Sequence, residues 1–99
     1  MSIVKAIRVF DIDGENGQKP GAFEYIVNYE ANVCGFDFRC PCGCGTLGYL
    51  PFTNSADREL GPHWTFNGDP DSPTLTPSVQ QTGECKWHGY LVAGEWKEC

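Results

Sequence analysis

The sequence predicts an all-β fold: a small β-sandwich or barrel, held by a metal with Rieske-like or rubredoxin-like site geometry, in which residues 1–99 form a single zinc-binding domain. Two observations carry this reading. Short runs of β-branched and aromatic residues alternate with polar ones, separated by clusters of Gly, Pro, Asn and Asp, and no apolar pattern of helical period stands between them. Two compact Cys/His clusters lie far apart in the chain and supply the staple by which a domain of 99 residues supplements a modest core.

Taken in order, residues 3–10 are rich in β-branched side chains and stop at Asp11-Ile12-Asp13-Gly14, a turn sequence. The acids at 11, 13 and 15 do not make a calcium loop, because Gly14 does not hold the glycine position of the EF-hand pattern. Residues 15–21 read as an exposed loop. In 22–29, Phe23, Tyr25, Val27 and Tyr29 share a strand face; in 33–39, Cys34, Phe36 and Phe38 point inward. By that parity Cys34 is a core residue rather than a ligand, and Cys40 is carried to the inner side. Residues 47–52 form an apolar strand, 53–62 a loop and 63–67 another strand, closed by Gly68-Asp69-Pro70-Asp71-Ser72-Pro73. Pro77 interrupts 74–80 and confines it to an edge or an irregular segment. A last hairpin joins 87–92 to 95–99 around Ala93-Gly94, and counting back from that loop pairs Val92 with Glu95 and His88 with Cys99. The expectation is roughly six to eight short strands, with Phe23, Tyr25, Phe36, Phe38, Trp64, Phe66 and Leu91 in the core.

The motifs that carry chemistry are Cys40-Pro41-Cys42-Gly43-Cys44-Gly45 and Cys85-Lys86-Trp87-His88, separated by about 40 residues without cysteine. Thiolates and an imidazole at such spacing bring two parts of a small chain onto one tetrahedral Zn²⁺. Packing alone does not account for three cysteines in five residues among Pro and Gly. The metal candidates are therefore Cys40, Cys42, Cys44, Cys85 and His88. Cys40, Cys44, Cys85 and His88 form the first set, Cys42 is the leading substitute, and Cys99 is a reserve ligand opposite His88. Cys85-Lys86-Trp87-His88-Gly89 also has the form of the second half of a Rieske site, which makes a 2Fe-2S cluster the alternative cofactor. The first half of such a site, Cys-x-His, is missing near Cys40.

A net charge of −6 argues against a nucleic-acid partner, whose phosphates need clustered Lys and Arg. No apolar run is long enough to cross a bilayer and residues 1–10 lack the features of a signal peptide, so the expected location is cytoplasmic, without a membrane partner. Closely spaced thiols there favour a metal over disulfides. Catalytic zinc patterns are absent: there is no Pro-Cys-x-x-Cys with His-x-Glu and no His-Glu-x-x-His. Cys85 with His88 is conceivable as a nucleophile pair, but a shared metal competes with it. His63, beside Trp64, reads as structural or surface-exposed. No catalytic residue is assigned.

The ordered motifs Phe38-Arg39-Cys40-Pro41-Cys42-Gly43-Cys44-Gly45, His63-Trp64-Thr65-Phe66-Asn67-Gly68-Asp69, Pro73-Thr74-Leu75-Thr76-Pro77-Ser78 and Cys85-Lys86-Trp87-His88-Gly89 cover much of residues 36–99. This part of the chain resembles a family of small Cys-rich zinc-binding proteins of bacteriophages and bacteria, some of which carry the name ammonia monooxygenase. Nothing in these residues supports that name, since there is no membrane helix and no copper-type histidine cluster. The resemblance implies a defence or counter-defence setting, because some relatives stand beside bacterial ubiquitin-like conjugation genes. It also implies that the outer cysteines of the turn matter most, relatives having a shorter Cys-Pro-Gly-Cys-Gly. The resulting expectation is a non-catalytic, zinc-stabilised protein-binding module, phage- or mobile-element-encoded. Its partner would be a host defence or virion protein, met through the rigid loop at 67–77 near Trp64. The alternative is a Rieske-like electron carrier or a small metalloenzyme.

Overall fold

A computed structural model describes residues 3–27, 32–53, 62–81 and 86–99. Residues 3–10 do not form one strand. β1 (Ile3–Lys5) pairs antiparallel with β10 (Glu95–Glu98), whereas β2 (Ile7–Arg8) pairs in parallel with β3 (Ala22–Val27). At the changeover the Ala6 N–H donates to Gly94 O at 2.9 Å, so the chain leaves one sheet for the other at a satisfied corner. The loop between β2 and β3 holds a short 3-10 turn, Asn16–Gln18, whose Gly17 is buried, where an exposed loop was expected.

The remaining strands are β4 (Val33–Arg39), β5 (Leu47–Pro51), β6 (Thr65–Phe66), β7 (Leu75–Thr76), β8 (Val79–Gln80) and β9 (His88–Val92). They build two four-stranded sheets, ordered β1-β10-β9-β8 and β2-β3-β4-β5, with the β6-β7 ribbon beside them. The architecture is all-β as expected, with ten strands among the described residues rather than six to eight. The difference arises because β1/β2 and β7/β8 are each one apolar run cut by a change of sheet. Pro77 marks the second cut, following a cis peptide bond after Thr76. No helix among the described residues is long and apolar enough to cross a membrane.

The inner faces of the two sheets share an aromatic core. Trp96 of β10 stacks on Phe38 of β4 with ring centroids 5.0 Å apart, and Phe36 lies 6.1 Å away. Phe23, Cys40, Leu50, Phe52, Leu75, Val79, Trp87 and Leu91 complete the buried cluster, with Tyr25, Trp64 and Phe66 among the half-buried residues packed against it. Trp96 also donates Nε1–H to Gly21 O at 3.0 Å. Gly21 has φ +80, and a Cβ there would stand 3.0 Å from both the Trp96 ring and Val4, so glycine serves both the turn and the close approach.

One expected core residue, Cys34, and one residue of the expected apolar strand face, Val27, lie further out than the alternation implies. Cys34 is half-buried, its thiol donating to Ile26 O at 3.5 Å, and Val27 is 57% exposed. A register shift between Ile26 and Val27 breaks the alternation at that end of the β3–β4 pair. Tyr29, Cys85 and most of the loop expected at 53–62 lie outside the described residues. The loop at 67–77 is internally bonded. Asn67 Oδ1 accepts from the Asp69 and Thr74 amides, and Asp69 Oδ1 from those of Asp71 and Ser72. Thr74 Oγ1 accepts from the Ala93 amide at 2.8 Å, which ties this loop to the terminal hairpin.

Candidate active site and cysteine cluster

The terminal hairpin has the predicted register: Val92 pairs with Glu95 and Gly89 with Glu98, and the Cys99 amide donates to His88 O at 3.1 Å. Ala93 and Gly94, with φ +49 and +76, form the two-residue loop that suits the strand twist. On the other side of β9, Gln80 pairs with His88 and Val79 with Gly89. Side chains two residues apart on a strand share a face, so Ser78 and His88 are diagonal neighbours on the outer face of this sheet. At a backbone separation of roughly 7–8 Å the imidazole spans the gap.

The contact is made: His88 Nε2 lies 3.0 Å from Ser78 Oγ. Ser78 is half-buried, and its carbonyl accepts from Trp64 Nε1 at 3.1 Å, which anchors the residue that carries the hydroxyl. The other ring nitrogen, Nδ1, lies 3.4 Å from Cys99 Sγ, and that thiol donates to His88 O at 3.5 Å. A thiol proton directed at that carbonyl leaves sulfur lone pairs for an Nδ1–H, an arrangement that suits the tautomer whose Nε2 accepts. The row Ser78, His88, Cys99 across three adjacent strands is a hydroxyl, a base and an orienting group at hydrogen-bonding distances.

The cysteine turn lies in the other sheet, between β4 and β5. Cys40 N–H donates to Thr46 O at 2.9 Å and Gly43 N–H to Cys40 O at 3.1 Å, closing the loop on itself. Arg39 braces it, with Nη1 donating to Gly45 O and Nε to Gly17 O, both at 3.2 Å. Cys40 is fully buried, Cys42 and Cys44 are exposed, and their three sulfurs lie within 4.8 Å of one another. Sulfurs around a tetrahedral ion at about 2.3 Å stand roughly 3.8 Å apart, so the cluster could hold a metal ion. Among the described residues that cluster consists of Cys40, Cys42 and Cys44. His88, predicted with them, has its ring nitrogens facing Ser78 and Cys99 instead, and Cys85 lies outside the described residues.

Ser78 was not among the residues singled out from sequence. It has no Gly-x-Ser-x-Gly surround, and only the β8–β9 register brings it to His88. A serine hydroxyl within hydrogen-bonding distance of an imidazole nitrogen is the pairing a serine nucleophile needs. Residues 11–99 match the family described as Bacterial ubiquitination-like system serine protease (BubE), and the chain belongs to that family. Neither the curated proteins nor the solved structures hold a match to it. Membership corrects the expectation of a non-catalytic binding module acting on a host defence or virion protein, and of a Rieske-like carrier or small metalloenzyme as its alternative. His88, read from sequence for its Cys-x-x-His spacing, stands against the Ser78 hydroxyl in the fold.

Proposed function

We propose that the chain is a serine peptidase acting on a polypeptide of a bacterial ubiquitination-like system, with Ser78 as nucleophile and His88 as general base. The observation that carries this reading is the 3.0 Å contact between Ser78 Oγ and His88 Nε2; the family match supports it. Ser78 Oγ attacks the scissile carbonyl carbon while its proton passes to Nε2. The imidazolium then gives that proton to the leaving amine as the C–N bond breaks, leaving an ester on Ser78. Water, deprotonated by the same nitrogen, hydrolyses the ester and restores the hydroxyl. Cys99 holds the ring in register throughout and accepts from Nδ1–H.

The cysteine cluster suits a structural zinc ion, whose preference for thiolates matches the donor set and which would pin the turn that leads into β5. Cys40, Cys42 and Cys44 supply three ligands, and Cys85 is the candidate fourth. Incubation with the modifier polypeptide and conjugates of the same bacterial system tests the peptidase reading. Ser78→Ala and His88→Ala should each reduce cleavage at least about a hundredfold with folding intact. Undiminished cleavage by Ser78→Ala would contradict it.

A further inference from the structure

A cleft of about 390 Å³ opens along the residues that follow Ser78, between the end strands of the two sheets. Its walls include Leu47 and Tyr49 of β5, Trp64, and Val79, Gln80 and Gln81 at and just after β8. Val79 follows Ser78 directly, and Trp64 holds the Ser78 carbonyl, so the cleft runs along the chain that carries the nucleophile. The volume is in the range of about 300–1,000 Å³ in which proteins hold small ligands or side chains.

Two features of this cleft lack partners that a polypeptide would supply. The Gln81 side chain is 8% exposed, and its Nε2 finds no hydrogen-bond partner among the described residues. A buried amide donor left unpaired is costly, and it is satisfied by a carbonyl brought into the cleft. The second feature is the edge of β8. Gln81 N–H donates to Trp87 O at 2.7 Å, so in the antiparallel alternation Gln80 opposite His88 is a non-bonded pair. The Gln80 N–H and C=O therefore point away from β9, along the outer side of the last strand of the sheet.

We propose that this cleft binds the substrate as an extended polypeptide segment added to the outer edge of β8. The Gln80 backbone makes strand-type hydrogen bonds to it, and the Gln81 carboxamide donates to one of its carbonyls. The inference rests on the peptidase reading above and deepens it by naming the form of the substrate. Recognition is through the main chain, as in strand addition to a sheet edge, with side-chain preference left to the apolar walls of Leu47, Tyr49 and Trp64. A flexible tail or an unfolded stretch offers its main chain on both sides, so the cut bond lies in such a segment, with its scissile carbonyl laid near Ser78.

The test compares Gln81→Met, which keeps the side-chain volume and removes the donor, with Gln80→Pro, which removes the outward N–H at an edge-strand position that tolerates proline. The probes are a mixture of unstructured peptides of randomised sequence and a small fluorophosphonate that reacts with an activated serine without needing the cleft. Both variants should lose about tenfold in kcat/KM on the best-cut peptide, with fluorophosphonate labelling of Ser78 as fast as in the unaltered protein. That labelling also shows that each variant is folded. Unchanged kcat/KM in both variants would overturn the inference, as would a protein that labels at Ser78 but cuts no peptide of the mixture. Absence of labelling in the unaltered protein would instead overturn the peptidase reading.

Discussion

Ser78 ends a motif that the sequence offered only as a mark of resemblance, and the role proposed for it rests on one diagonal across a pair of strands. What distinguishes it is a base at 3.0 Å whose far nitrogen meets a sulfur rather than a carboxylate. A neutral thiol orients an imidazole but stabilises imidazolium less than a carboxylate does, so Cys99 acts through position more than charge. Cys99→Ala should lower kcat about tenfold, with KM and melting temperature little changed; a full loss of folding would make Cys99 a structural residue instead. The hairpin half of this arrangement was legible, because two turn residues at 93 and 94 let the His88–Cys99 pairing be counted. The other half was not. Pro77 breaks the run that contains Ser78, so nothing local assigns 79–80 to the edge of β9, and the eye is drawn to Cys85 as the nearer partner of His88.

Among the elements, the β3–β4 pair sets two carboxylates opposite each other, Glu24 and Asp37. Burial raises the Asp37 pKa, Glu24 and Asp13 raise it further, and Arg39 opposes them. The folded state thus holds the Asp37 proton more tightly than the unfolded chain. Its contribution to stability falls as pH rises from the ordinary carboxylate range through the raised value, and is constant above it. Asp37→Asn should therefore raise the melting temperature at neutral pH by a few degrees, and the gain should vanish below about pH 3, where both states are protonated. Equal gains at both pH values would show a cause other than titration. The cysteine turn makes a second element-scale prediction. If its thiolates hold zinc, a strong chelator should lower the melting temperature, added zinc should restore it, and Cys40→Ser should abolish the response. Elemental analysis finding no metal in protein purified without chelator would remove the ion from the account. That these cysteines come together was readable from spacing alone, because three thiols within five residues need no tertiary register to form a cluster that could hold a metal.

For the molecule as a whole, two sheets meet over Trp96, and the site is built where their ends come together beside the β8 edge. All-β character was legible in the alternation and turn formers, and the expected aromatic residues do lie in or against the core. The change of sheet at Ala6 was not, because a β-branched run reads the same whether it pairs with one neighbour or with two in succession. Trp96→Ala should cost about 3–5 kcal/mol, a large share of a small domain's stability, as read by denaturant unfolding. A loss well below that range would mean that the sheets are held together elsewhere. The central claim is that this scaffold activates one serine, and the most direct measurement is intact-mass spectrometry with peptide mapping after fluorophosphonate treatment. The account predicts a single adduct on Ser78 that His88→Ala reduces sharply. An adduct on another serine, or equal labelling of Ser78 without His88, would contradict it.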